Sequence, residues 1–89
     1  MKNFTDLVFG AHPVFPDGTL AKFTFPNGYG IIVFTGTNAY TSPAGPYEAV
    51  VTLHGALCYD TPITDDVLGY ETADGISEIM ALIVALPTP

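Results

Sequence analysis

From residue 19 the chain alternates, Leu20 falling on one side while Ala21, Phe23 and Phe25 fall on the other. That period of two predicts a strand over residues 19–25 with one wet face. Residues 29–35 hold Ile31, Ile32, Val33 and Phe34 in an unbroken apolar run, the pattern of a central strand covered on both faces. Pro26-Asn27-Gly28 between them supplies turn residues, so the two strands are expected to pair as a hairpin. Residues 47–54 alternate again, with Tyr47, Ala49, Val51 and Leu53 facing one way and Glu48, Val50, Thr52 and His54 the other. Gly55 then reverses the chain into a short fourth strand over residues 56–59. After residue 72 the period changes. Ile76, Ile79, Met80, Ile83 and Leu86 recur at helical spacing between a capping Thr72 and a terminating Pro87, which predicts a helix from residue 73 to about 86. Leu82 and Val84 lie outside that stripe, so the helix's apolar surface is wider than one sheet face needs, and it packs deeply or offers a patch to a partner.

The segments between are less regular. In residues 3–9, Phe4, Leu7 and Val8 share a helical face, which favours a short helical turn, although Val8 and Phe9 could equally begin a strand. Asp17-Gly18 marks a turn, and residues 36–46 gather Gly, Thr, Asn, Ser and Pro into the longest loop, where binding residues tend to sit. Residues 59–70 read as a joint between strand and helix. Pro62 stops the strand, Thr64 offers a capping hydroxyl, and Asp65 and Asp66 put negative charge on a helical turn made by Val67, Leu68 and Tyr70 and weakened by Gly69. The expected fold is a single α+β domain over residues 1–89. It comprises a small antiparallel sheet of three to four strands packed by the C-terminal helix, with a short helical turn before it.

The chain has 89 residues, of which 48% are apolar, with six Phe and five Tyr, enough to fold alone around a thin core. Charge changes the picture most. Nine acids stand against two lysines, Lys2 and Lys22, for a formal net charge of -7. So few cations cannot neutralise a phosphate backbone or engage an anionic membrane, which excludes direct nucleic-acid and membrane-surface binding. Cys58 is the single cysteine, so no internal disulfide and no multi-thiolate metal site can form. An acid close to the N-terminus argues against a signal peptide, and residues 79–86 are too short to cross a bilayer, so the expected location is the cytoplasm.

Candidate chemistry is sparse. His54 and Cys58 flank the turn at Gly55, so their nearness follows from hairpin geometry, and Cys58 reads as a small buried hydrophobe. His12 and His54 read as solvent-facing or capping. Asp60, Asp65 and Asp66 do not follow the calcium-loop spacing, and Gly28-Tyr29-Gly30 lacks the helix and lysine of a phosphate loop. No catalytic residue, metal or cofactor is therefore expected. The acids are the main signal: Asp60, Asp65, Asp66, Glu71, Asp74 and Glu78 all fall after Lys22 with no base among them, giving a one-signed field. The bland account is solubility and helix capping. The functional one is a surface that imitates a nucleic-acid backbone and docks on a basic groove, with Tyr40 and Tyr47 as aromatic anchors flanking the long loop.

Through Asn27-Gly28-Tyr29-Gly30, Tyr47-Glu48 and the run Tyr59-Asp60-Thr61-Pro62-Ile63-Thr64-Asp65-Asp66-Val67-Leu68-Gly69-Tyr70, the chain resembles a group of short acidic proteins of tailed bacteriophages and prophages. The resemblance covers roughly residues 23–86. It implies a source and a hairpin, strand, joint and helix order, but no assigned activity and no catalytic residues. Small acidic phage proteins without an enzymatic signature resemble one another in role, binding and blocking a host or defence protein as anti-CRISPR proteins do. The expectation is thus an inhibitor, acting in the infected bacterial host, that covers the basic nucleic-acid channel of a defence protein, a CRISPR effector complex foremost. It would act as a monomer or small homo-oligomer. The alternative is a structural or accessory virion protein that self-associates through its last helix.

Overall fold

The computed structural model describes residues 2–89 and shows one antiparallel sheet with one helix across it. The strand segments are β1 (Gly10–Ala11), β2 (Thr19–Thr24), β3 (Tyr29–Phe34), β4 (Tyr47–Leu53), β5 (Ala56–Leu57) and β6 (Leu68–Glu71), followed by helix α1 (Ala73–Val84). The strand order is β1-β2-β3-β4-β5, and β6 also pairs with β4. An α+β architecture is therefore present, but with six strand segments rather than three or four. The strands absent from the expectation are β1, only Gly10 and Ala11, and β6, whose Leu68–Glu71 is interrupted by Gly69; neither is long enough to carry an alternation, and β6 is set by its pairing with β4.

The alternation in β2 to β4 sets the two faces. Ala21, Ile31, Val33, Ala49 and Val51 are buried on the side that receives Ile76, Ile79, Met80 and Ile83 of α1, four side chains that each contribute about 1.5–3 kcal/mol by leaving water. On the other side, Lys22 pairs with Ile32, and Phe34 pairs with both Leu20 and Glu48. Ile32 and Phe34 are half-buried while Val50, opposite Ile32, is buried, so this face of β3 is covered only in part, over Phe34 by the turn that holds His12 and Phe15, and not by a full second layer as its apolar run implied. The α1 stripe is taken up by the chain's own core, Val84 packs against that core as well, and Leu82 is left 56% exposed.

Three devices orient α1. The Thr72 side chain accepts the Gly75 amide at 3.0 Å, capping the first turn as its hydroxyl predicts. The Phe4 amide donates to Ser77 Oγ at 3.0 Å, tying the 3₁₀ turn Phe4–Asp6 to the helix. At the far end Asn27 Nδ2 donates to the carbonyls of Ile83 and Leu86 at 2.9 and 3.0 Å while Asn27 Oδ1 accepts the Tyr29 amide at 3.0 Å. One side chain in the β2–β3 turn thus satisfies carbonyls that a helix end leaves unpaired. That turn has a Gly28 amide to Phe25 carbonyl bond of 3.0 Å and Gly28 at φ +90, a three-residue loop in which glycine takes the left-handed position.

The segment read as a strand-to-helix joint is something else. β5 and β6 run antiparallel to β4 along the same edge, Leu57 opposite Thr52 and Leu68 opposite Ala49. They are two pieces of one edge strand, and residues 59–67 are an excursion between them. Ile63 packs against the α1 core, so the excursion folds to the helix side of the sheet. Val67, Leu68 and Tyr70 form no helical turn, because the ladder to β4 takes up the backbone of Leu68–Glu71. Thr64 does not cap a helix: its Oγ1 accepts the Asp66 amide at 3.1 Å and donates to the Asp66 carbonyl at 2.8 Å, closing a local turn. Tyr70, at φ 56, bends the strand where the register to β4 shifts.

Candidate functional site

The six acids named from the sequence sit on the excursion and around the start of α1. Asp60, Asp65 and Asp66 are exposed, and Asp66 Oδ1 accepts the Val67 amide at 2.7 Å. Glu71 ends β6 half-buried, with its carboxylate over the first turn of α1: an added Cβ on Gly75 would stand 2.5 Å from Glu71 Oε1. Asp74 lies within the first turn and Glu78 one turn later, both exposed. The amide dipoles of the helix start favour Glu71 and Asp74 locally. The lysines lie elsewhere. Lys22 occupies the helix-free face, in register with Ile32, and Lys2 lies beside Phe23, Phe25 and Val84 near the far end of α1.

The two aromatic candidates separate. Tyr47 is half-buried, its ring 4.9 Å from Phe4 and 5.9 Å from Phe9, and serves the core. Tyr40 is 60% exposed, and its backbone carbonyl accepts the Tyr70 amide at 2.8 Å, which seats the long loop against β6. Tyr70, 61% exposed on the same edge, is a further aromatic candidate that the helical-turn reading of residues 67–70 hides.

His54 lies over Gly28, where an added Cβ would stand 2.7 Å from its Cε1, and Cys58 is half-buried with its amide on the Val51 carbonyl at 2.9 Å. Among the described residues, no three His, Cys, Asp or Glu side chains gather as a metal site would require, and no helix is long and apolar enough to cross a membrane.

A second feature lies on the helix-free face, between the turn after β1 and the start of the long loop. His12, Phe15, Phe34, Asn38, Ala39 and Glu48 line a cavity of about 210 Å³ there. Beside it Asp17 Oδ2 accepts the Thr37 hydroxyl at 2.5 Å and the Thr37 amide at 3.0 Å, stapling the two loops. The hydroxyl first and the amide second hold the Asp17 carboxyl below the usual aspartate range. With the native value depressed, the staple is fully present above the ordinary aspartate pKa and is lost as pH falls through the native one. Thr37→Ala is expected to raise the NMR titration midpoint of Asp17 toward its ordinary value. A midpoint that stays put would assign the shift to another cause.

Comparison of the chain with family models, with curated proteins and with solved structures gives no match.

Proposed function

We propose that this chain is a binding protein whose acidic flank, formed by the 59–67 excursion and the outer side of α1, occupies a basic nucleic-acid channel of a partner. In its specific form, the chain comes from a tailed phage and the partner is a bacterial defence protein, a CRISPR effector complex foremost. The placement of charge carries the reading. Asp60, Asp65, Asp66, Asp74 and Glu78 are exposed, while Lys22 is on the helix-free face of the sheet and Lys2 lies beside Val84 at the other end of the helix. An uncompensated field of one sign steers association and suits a partner rich in Lys and Arg. Tyr40 and Tyr70 add exposed aromatic surface along the neighbouring edge. The source rests on the resemblance of the 59–70 run, and the role on analogy with other small acidic phage proteins. Self-association through α1 finds less support, since its stripe is already buried and Leu82 stands exposed without Ile76, Ile79, Met80 or Ile83 beside it at the surface.

The test pairs function with salt. In cells carrying a CRISPR effector that restricts a phage, the wild-type chain is expected to restore plaque formation, and an Asp65→Lys, Asp66→Lys double variant to lose that effect. With the purified effector, wild-type binding is expected to weaken by about ten-fold between low and physiological salt, and the variant's by less. Equal potency of the two proteins, with equal salt slopes, would rule out the acidic flank as the contact.

A further inference from the structure

The cavity on the helix-free face combines aromatic walls with one carboxylate. The His12 ring centre is 4.9 Å from that of Phe15 and 5.9 Å from that of Phe34, tilted by 46° and 37°. His12 Nδ1 accepts the amides of Val14 and Phe15 at 3.0 and 3.1 Å, which fixes the imidazole and removes that nitrogen from ligand binding. Glu48 stands directly across from Phe34 in the β3–β4 ladder, and its Oε1 accepts the Tyr40 amide at 2.8 Å. One such bond leaves a carboxylate with further acceptor capacity. The lining has no lysine, so an anionic ligand would meet repulsion from Glu48 and no counter-charge. Drug-sized and nucleotide ligands occupy pockets of roughly 300–1,000 Å³, more than is offered here. A compact cation with an apolar skin fits all three conditions: size, aromatic faces and a single negative charge.

We propose that this cavity binds a methylated ammonium group, either free, as in choline, or carried on a lysine side chain. The rings attract the cation through their negative faces, methyl groups reduce the cost of leaving water, and Glu48 supplies the balancing charge. The site lies on the face away from the acidic flank and does not rest on the function proposed above.

The experiment titrates isotope-labelled protein with choline and, separately, with 3,3-dimethylbutan-1-ol, its uncharged isostere, following backbone amide shifts by NMR. Choline is expected to give saturable millimolar shifts at Val14, Phe15, Asn38 and Tyr40, and the alcohol to bind at least about ten-fold more weakly. Glu48→Gln and Phe34→Leu, each checked for an intact melt, are expected to weaken choline by about ten-fold. Equal binding of the two probes, an unchanged Glu48→Gln, shifts centred on residues 60–78, or no saturation by about 100 mM would each overturn the proposal. A peptide with trimethyl-lysine that outbinds choline and its unmodified counterpart assigns the group to a protein. Affinity no better than choline's assigns it to a free amine.

Discussion

Gly45→Ala is expected to destabilise the chain by about 3 kcal/mol, read as a lower urea midpoint at unchanged slope. Gly45 is buried where residues 36–46 lie on β6, and a Cβ there would collide with the carbonyl oxygen and carbon of Tyr70 and stand 2.8 Å from its Cα. Those atoms are backbone, held by the Tyr70 amide to Tyr40 carbonyl bond of 2.8 Å, so no rotamer change relieves the clash. Gly69 interlocks the same two segments from the other side, its added Cβ falling 2.9 Å from Tyr40 Cβ. Gly55→Ala is the control. At φ +85 with nothing within 4 Å, it meets open space and only the left-handed backbone term, about 1–2 kcal/mol. Equal losses at the two sites would mean that the long loop is not seated on the edge strand.

Asn27→Asp is expected to cost about 2–4 kcal/mol, more than the about 1–2 kcal/mol of Asn27→Ala. Both substitutions remove the donor that meets the Ile83 and Leu86 carbonyls. Aspartate keeps the acceptor for the Tyr29 amide but turns carboxylate oxygens toward carbonyl oxygens at the negative end of the helix dipole. The ordering is the informative part, and thermal melts of the two variants at neutral pH measure it. If aspartate proves milder than alanine, the side chain's role is confined to the turn.

What the sequence made legible was what local rules govern. The strand over residues 47–53, the Asn27-Gly28 turn and the Thr72-capped stripe of Ile76, Ile79, Met80 and Ile83 agree with the structure, because period and turn chemistry point the same way there, although burial in β4 does not alternate: Ala49, Val50, Val51 and Thr52 are all buried. Residues 59–70 misled because the same residues suit either a capped helical turn or a bent edge. The choice between them is made by Ala49 and Tyr47, some twenty residues away, and by Tyr40 from another loop. The cavity was illegible for a similar reason. Phe34 and Glu48 could be placed side by side from the hairpin alternation, but nothing local indicates that the turn holding His12 and Phe15 folds against them. The sequence reads Tyr47 as a surface anchor because its partners Phe4 and Phe9 come from the N-terminal segment, whose packing has no periodic signature.

The split edge formed by β5 and β6 has a further effect. An uninterrupted outer strand would present a row of free amides and carbonyls on which a stray peptide could zip. Here that row is cut after Leu57 and resumes only at Leu68, bent at Tyr70 and sealed there by Tyr40. On that flank, fibril growth by strand addition has no template longer than a few residues.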